Sequence, residues 1–198
     1  MKLRSILLAA VMASTLGFAL PASAGAVTDL MRTRQNELFD LVRQSGASKA
    51  RLHQIFDDIL DYDALAKASL GDEWDKRSDA ERSEFAGLLK QLVRNAYERN
   101  LRSTANFDVN YLGEHSGAGG TILVDTKSQA KGNSREEPVE ITFSMVQRNG
   151  AWKVADIVTE GVSLVSSYRN QFTKVIRKDG FATLVQKMKT KIAKGDSR

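Results

Sequence analysis

The stretch from Asp156 to Phe172 constrains the fold more than any other part of the sequence, because a strand pattern passes directly into a helix pattern there. β-Favouring residues occupy the strand side of this junction: Trp152, Val154, Ile157 and Val158. Gly161 then permits a sharp change of chain direction. Beyond it, large residues three and four positions apart share one helical face, namely Val165, Tyr168 and Phe172. The sequence therefore ties an apolar helix face covalently to the end of a β-sheet.

Helix patterns occupy the chain before the first strand. The first two are predicted at about residues 28–44 and from the N-cap Ser48 onwards. A third, short helix over residues 62–70 is opened by Asp61 and ended by Gly71.

The strongest helix pattern begins at Ser78, because Ser78 and Glu81 have the spacing of a capping box. Its apolar positions keep helical spacing over several turns: Phe85, Leu88, Leu89, Leu92, Val93, Ala96 and Tyr97. So wide an apolar stripe predicts a broad apolar partner.

From Asn106 onwards the apolar period changes to two, which indicates β-strands. Three segments alternate apolar and polar residues: 107–111, 121–126 and 139–145. Residues 127–137 are polar and predict a loop. Asn149-Gly150 predicts a hairpin into a fourth strand, which starts near Trp152. The alternation falters near Asp156, which predicts a β-bulge.

Two further helix patterns, at residues 162–178 and 181–194, follow the strands. Helices at both ends of the chain and antiparallel strands between them predict an α+β fold. We expect a curved antiparallel sheet of about four strands, with one face covered by helices from the N-terminal and C-terminal parts.

Residues 1–24 have the pattern of a secretory signal peptide. A positively charged start precedes a largely apolar run, and Ala22-Ser23-Ala24 supplies the small-residue cleavage site. We therefore expect cleavage after Ala24 and export of a soluble chain. Residues 25–198 have a length that suits a single domain.

Neither metal binding nor a cofactor is predicted. Cysteine is absent, which excludes thiol chemistry and cysteine metal sites. His53 pairs by spacing with a helical carboxylate, and His115 lies in a Gly-Ser-rich turn, so no metal-ligand spacing appears. The glycine run at 117–120 lacks the helix and the Lys-Ser/Thr of a phosphate loop, and predicts a hairpin turn.

Asp156 and Glu160 are the carboxylates at the predicted corner between the fourth strand and the following helix. A structural ion pair of Asp156 with Arg169, which fixes the corner between strand and helix, is the favoured interpretation. The alternative is a small-molecule enzyme that uses Asp156 or Glu160 as an acid or base. A periplasmic adaptor that binds only proteins is a third hypothesis.

The C-terminal helix patterns carry many basic residues and only one acidic residue, Asp179. The basic residues are Arg169, Lys174, Arg177, Lys178, Lys187, Lys189, Lys191 and Lys194. This excess predicts a positive surface. It is either an ordinary solvated helix face or a docking surface for an anionic headgroup or an acidic partner.

Several motifs together resemble the MlaC or toluene-tolerance family. The most specific run is Glu160-Gly161-Val162-Ser163-Leu164-Val165 followed by Tyr168-Arg169-Asn170-Gln171-Phe172. Upstream, further motifs keep the family's order and approximate spacing: Asp61-Tyr62, Leu70-Gly71-Asp72-Glu73-Trp74, Glu84-Phe85, Tyr97 and Trp152-Lys153-Val154.

This resemblance implies a periplasmic phospholipid carrier without enzymatic activity. It implies transfer of lipid between an outer-membrane lipoprotein complex and the substrate-binding subunit of an inner-membrane ABC transporter. No nucleic acid is expected as a partner, and a monomer is expected. The resemblance also implies that the space between helices and sheet is incompletely packed.

Candidates for the lining of such a cavity lie on the inward sheet face and on the helix faces opposite it. They are Leu70, Trp74, Leu88, Leu92, Val139, Ile141, Phe143, Met145, Trp152, Val154, Leu164, Val165, Tyr168 and Phe172. Each is equally compatible with an ordinary hydrophobic core. Arg169 and the nearby lysines are candidates for contact with the lipid phosphate.

Overall fold

The strands of the sheet follow one another in space in the same order as along the chain. The structure is a computed structural model that describes residues 25–44, 48–104, 106–132 and 137–195, with the backbone alone for 99–104. The predicted signal peptide, residues 1–24, lies outside the described residues. Among the described helices, none combines the length and hydrophobicity that crossing a bilayer requires.

The described part of the chain contains six α-helices and five strands. The helices are α1 (Ala26–Arg43), α2 (Lys49–Ile59), α3 (Tyr62–Leu70), α4 (Asp79–Thr104), α5 (Leu164–Asp179) and α6 (Phe181–Gly195). The strands are β1 (Phe107–Ser116), β2 (Ile122–Ala130), β3 (Val139–Arg148), β4 (Ala151–Thr159) and β5 (Val162–Ser163). All strand pairs are antiparallel, so the predicted α+β class is confirmed.

The helix boundaries follow the capping residues in the sequence. Ser78 and Glu81 form the predicted capping box, with the Glu81 carboxylate accepting from the Ser78 backbone N–H at 2.8 Å. Asp61 caps α3 by accepting from the Ala64 N–H at 2.9 Å. Ser48 precedes α2 as predicted, although its side chain makes no capping hydrogen bond.

The fifth strand was not predicted, because residues 162 and 163 had been assigned to the following helix. Glu160 and Gly161 both have positive φ, at 49° and 75°. A two-residue turn of this kind matches the twist of a hairpin. The chain therefore folds back, and Val162 and Ser163 pair with the end of β4 before α5 begins.

The predicted loop at residues 127–137 was wrong for its first part. Strand β2 continues to Ala130, because the backbone ladder with β1 extends to the pair Phe107 and Ala130. Polar side chains do not prevent this, since the ladder is formed by main-chain groups. Residues 133–136 lie outside the described residues.

Two register shifts bend the sheet. The predicted bulge in β4 is confirmed: Ser144 pairs with Asp156 but Met145 pairs with Val154, which leaves Ala155 without an opposite residue. The second shift lies between Tyr111 and Gly113 in β1. Such bulges increase local twist and curvature.

The helices cover the sheet unevenly. Helix α1 contacts β1 and β2, and α2, α3 and α5 contact β4. Helix α4 packs against α3. The last helix, α6, packs against α4 and α5.

Candidate functional site

The candidate site is the inner face of the sheet, where alternate residues of each long strand face the helices. On β3 these are Val139, Ile141, Phe143 and Met145, as predicted. Their register partners across β2 are Ser128, Thr126, Val124 and Ile122. The β4 side of the same face carries Val154 and, after the bulge, Ile157.

Burial changes along β3. Met145 is fully buried, and its neighbour Val154 is 1% exposed. Val139, Ile141 and Phe143 on the same face are only partly buried. On β3, the inner face is therefore packed at its Met145 end, the packed end, and incompletely covered toward Val139, the open end. The opposite residues of β2, Val124, Thr126 and Ser128, are buried, so the uncovered surface belongs to β3.

The packed end is closed by the junction between α2 and α3. Leu60 forms an isolated parallel bridge with Val154, and the Asp61 N–H donates to the Val154 carbonyl at 2.9 Å. Lys153 reinforces the junction by donating to the carbonyl of Asp58 at 2.7 Å. Because these bonds join the helical region to β4 directly, little space remains at this end.

Aromatic side chains form a wall between α4 and α5. The rings of Tyr168 and Phe172 stack with centroids 5.3 Å apart, and Phe85 meets Phe172 edge-on at 5.4 Å. Tyr97 packs on Phe56 at 5.1 Å. Burial raises the pKa of Tyr97 well above its usual range, with a smaller contribution from the nearby Tyr168 phenol. The phenol therefore stays neutral at physiological pH.

Apolar residues also mark the rim of the open end. Val162 in β5 is 61% exposed, and Leu164 at the start of α5 is partly buried. Strand pairing places this rim close to β3, since Thr159 pairs with both Val162 and Ile141. The rim therefore lies beside the uncovered part of β3, with the exposed Thr159 between Val162 and Ile141.

The predicted lining residues divide between the packed core and this surface. Buried in the core are Leu70, Leu88, Leu92, Met145, Val154, Val165 and Phe172. Partly buried and facing the open end or the aromatic wall are Val139, Ile141, Phe143, Leu164 and Tyr168.

The two tryptophans lie away from the open end. Trp74 lines an outer cleft of about 950 Å³ that also contains Lys67 and Arg148, and Arg82 sits over its ring at 5.6 Å. Trp152 pairs with Gln147, beyond the packed end. Neither indole therefore belongs to the apolar surface of the open end.

The predicted ion pair between Asp156 and Arg169 was wrong, since these two described side chains form no such pair. The Asp156 carboxylate accepts from the Ser163 hydroxyl at 2.5 Å and from the Val165 N–H at 3.0 Å. Arg169 instead donates from Nε to the Ala68 carbonyl at 2.8 Å, near the end of α3. The corner is fixed by a helix cap, because backbone N–H groups at the start of α5 lie closer to Asp156 than any cation.

Glu160 lies beside the open end, in the turn that precedes the rim residue Val162. It lies exposed in the β4–β5 turn, where its carboxylate accepts from the Glu140 N–H at 2.5 Å. His53 Nε2 lies 3.6 Å from Glu98 Oε2, and His115 Nδ1 lies 3.1 Å from Asp125 Oδ2. The residues that the structure describes contain no group of His, Asp and Glu side chains suited to a metal ion.

A basic cleft of about 760 Å³ lies on the outer side of α5, against the loop after α3. Its cationic residues are Lys76, Arg169, Lys174, Arg177 and Lys178, and its acidic residues are Asp72 and Glu73. Leu70 lines the bottom of the cleft. The predicted positive surface of the C-terminal helices thus includes a defined concave part.

Sequence reasoning missed several residues of the inner face. Thr126 and Ser128 are buried there although they are polar, and Thr126 donates its hydroxyl to the Ile141 carbonyl at 2.9 Å. The continued period of two through β2 was the signal that could have placed them. Glu114 also faces inward, opposite Val124, because of the bulge in β1.

Comparisons with known proteins agree with this architecture. A family model described as MlaC protein matches residues 25–190. Among solved structures, the chain is similar to a phospholipid-binding protein from Ralstonia solanacearum in complex with a phospholipid. The two are 24% identical, the match covers 88% of this chain and 99% of that chain, and the TM-score is 0.71. A search of curated proteins gave no match.

Proposed function

The chain belongs to the MlaC family, and from this premise we propose that it is a periplasmic phospholipid carrier. It binds the acyl chains of a glycerophospholipid against the inner face of the sheet and releases the lipid unchanged. The mature chain, residues 25–198, acts as one lipid-binding domain. Transfer involves no covalent step and needs no cofactor.

The observation that supports this proposal is the burial gradient along β3. Met145 is fully buried, whereas Ile141 and Phe143 on the same strand face leave apolar surface uncovered, although their β2 partners Thr126 and Val124 are buried. Apolar surface left uncovered in this way favours binding of an apolar ligand. The adjoining rim at Val162 and Leu164 extends the surface outward.

The magnitude of the hydrophobic effect explains why such a surface must be deep. Two acyl chains of about 15 carbons each, at about 0.8 kcal/mol per buried CH₂, represent on the order of 20 kcal/mol. A carrier that left one chain in water would lose its cargo to any bilayer. The half-buried residues of β3 and the aromatic wall provide the kind of surface that can replace water around both chains.

The two carboxylates near the site have structural roles, which favours transport of an unchanged lipid over acid–base catalysis. Asp156 and Glu160, which could have acted as acid and base, both accept hydrogen bonds from backbone N–H groups. Those bonds fix the turn and the start of α5, which are structural tasks. In this proposal both carboxylates have structural roles, and the enzyme hypothesis stays an alternative that the Asp156→Ala variant tests.

The partners in this proposal are an outer-membrane lipoprotein complex and the substrate-binding subunit of an inner-membrane ABC transporter. The basic cleft beside α5 suits an acidic surface on one of these partners. Arg169 and Lys174 belong to that cleft, on the outer side of α5. In this arrangement, the cations serve docking of the loaded monomer, and the open end serves the cargo.

Extraction of the protein from a Gram-negative periplasm tests the proposal. We expect solvent extraction and mass spectrometry to recover glycerophospholipid in a stoichiometric amount. A sample stripped by unfolding and refolding should take lipid up again from phospholipid vesicles. Recovery of no lipid, together with no uptake by the refolded sample, would overturn the proposed function.

A further inference from the structure

The side chain of Glu114 reaches the beginning of α1 because of the bulge in β1. Before the bulge, Tyr111 faces inward and pairs with Thr126. After it, Glu114 pairs with Val124, a fully buried residue of the inner face. Without the extra residue, strand alternation would have pointed Glu114 outward.

The Glu114 carboxylate binds both ends of the first helical turn. Its Oε1 accepts from the Gly25 N–H at 3.0 Å, and its Oε2 accepts from the Thr28 N–H at 2.7 Å and from the Thr28 hydroxyl at 2.8 Å. Thr28 is 5% exposed. Burial alone would raise the pKa of Glu114, but the hydrogen bonds from Thr28, Gly25 and Val27 hold it below its usual range.

Gly25 is also the residue that signal cleavage after Ala24 would make the first of the mature chain. The match to the family model begins at the same residue. Hydrolysis of the Ala24–Gly25 peptide bond consumes one water, leaves a carboxylate on Ala24 and leaves an amine on Gly25. Near neutral pH this amine takes up a proton and becomes an ammonium group.

We propose that Glu114 is a binding site for the α-ammonium group that processing creates at Gly25. The hydrogen bond seen between Gly25 N and Oε1 then becomes a charge-assisted one, which is stronger than the same bond made by a neutral amide. The carboxylate thereby fixes α1 on β1 and β2 most firmly in the mature chain. The exported form is more stable than a form that retains residues before Gly25.

The electrostatics of α1 explain why a carboxylate is needed there. A positive group at a helix N-terminus is repelled by the positive end of the helix dipole. The Glu114 carboxylate lies on the sheet side of α1 and offsets both the charge of the ammonium group and the positive end of the helix dipole. The other charged groups of α1's first turn and of the adjoining strands are paired elsewhere, Asp29 with Arg32 and Asp125 with His115.

The pH dependence follows from the sign of the interaction. A neighbouring carboxylate favours the protonated amine, so the pKa of the α-amino group is higher in the folded chain than in the unfolded chain. The added stability is then fully present below the unfolded pKa of about 8. It is lost as pH rises through the folded pKa.

Two matched forms of the mature protein test the proposal. One begins at Gly25 after removal of a fusion partner, and the other retains Ala24. At pH 7 we expect the first form to melt about 2 to 4 °C higher, and the difference to disappear at a pH above the folded pKa. In an NMR titration, the α-amino pKa of the first form should lie about one pH unit above its ordinary value.

The variant Glu114→Gln identifies the partner of the ammonium group. In this background we expect the α-amino pKa to return to its ordinary value and both forms to melt together. Asp108→Asn, an exposed change in the same strand, is the control. It should leave unchanged the difference in melting temperature between the two forms and the raised α-amino pKa. Equal melting of the two original forms with an ordinary α-amino pKa would overturn the proposal, as would a difference that persists in Glu114→Gln.

Discussion

The side chain of Arg169 lies directly against Gly71: a Cβ at residue 71 would stand 3.3 Å from both Cδ and Nε of Arg169. The two residues belong to motifs almost a hundred positions apart in the chain, which α3 and α5 bring together. Arg169 also donates to the carbonyl of Ala68 at 2.8 Å. The contact therefore joins the end of one helix to the outer side of the other.

Gly71→Ala should destabilise the protein because of this contact and its backbone. Gly71 has φ 55° and ψ −131°, a conformation that residues with a Cβ rarely adopt. We expect a loss of about 1 to 3 kcal/mol in the free energy of unfolding, measured by denaturant titration. Gly87→Ala in α4 is the matched control, since no atom apart from its chain neighbours and the backbone of its own helix lies within 4 Å of an added Cβ. That change should be neutral or stabilising, and equal losses in both variants would contradict the argument.

Asp156→Ala should loosen the corner between β4 and α5. The variant removes the acceptor for the Val165 N–H and the Ser163 hydroxyl, so we expect a loss of about 1 to 2 kcal/mol in thermal or chemical unfolding. Lipid content per folded chain should remain at the wild-type level. A loss of some catalytic turnover without a change in stability would instead favour the enzyme hypothesis.

Ile141→Asp should reduce lipid loading more than folding. Ile141 is only partly buried at the open end, so its charge meets cargo when lipid is bound and water when it is not. Met145→Asp at the packed end should prevent stable folding, because Met145 is fully buried.

Val146→Asp is the control on the opposite face of β3, beside Lys153, and should retain normal loading. The readouts are extracted phospholipid by mass spectrometry and the melting temperature of the refolded, lipid-free protein. Equal loss of loading and folding in Ile141→Asp would show that this position belongs to an ordinary core.

Asp57→Asn should reveal a pH-dependent link between α2 and α4. Asp57 accepts from Arg94 Nε at 3.0 Å and lies 3.0 Å from Lys90 Nζ. Burial alone would raise the pKa of Asp57, but the hydrogen bonds from Arg94 and Lys90 outweigh it and lower the pKa.

The sign of that shift fixes the pH range of the effect. A lowered folded-state pKa adds stability above the unfolded value of about 4, and this stability is lost as pH falls through the folded-state value. The wild type should therefore melt above Asp57→Asn at pH 7, and the two should converge at acid pH. Solvent screening limits the difference to about 1 kcal/mol. A difference that stayed constant down to pH 2 would contradict this explanation.

Charge reversal in the basic cleft should weaken docking but not cargo binding. For the double variant Lys174→Glu and Lys178→Glu, we expect about tenfold weaker binding to the purified ABC transporter complex, equivalent to about 1.4 kcal/mol. Raised salt should reduce wild-type binding in the same direction. Lys49→Glu, in α2 and outside the lining of the cleft, is the control. Unchanged affinity in the double variant would exclude the cleft as the docking surface.

The sequence was sufficient to predict the fold class because each element carries its own pattern. Asp61 and Ser78 marked helix starts, and Asn149-Gly150 marked a hairpin, by local chemistry that tertiary contacts did not override. The fifth strand could not be predicted, because two residues are too few to show the alternation of a strand.

The site was less predictable, because burial depends on which elements meet. Met145 and Ile141 share one strand face and one apolar character, yet only the structure separates the packed end from the open end. Arg169 bonds to the Ala68 carbonyl because α3 and α5 lie side by side, and the spacing of residues along the sequence does not show that packing. Glu114 faces inward because one extra residue shifts the alternation of β1, and no pattern in the sequence marks that shift.

The short turn at Glu160 and Gly161 links the edge of the sheet closely to the start of α5. With only two residues between paired strands, α5 has no slack, and an outward swing would first have to break the pairing of Val162 and Ser163 with β4. The start of α5 is therefore tied to the edge of the sheet. In the proposed carrier, widening of the open end for a lipid therefore requires either loss of this pairing or a displacement of the helices opposite α5.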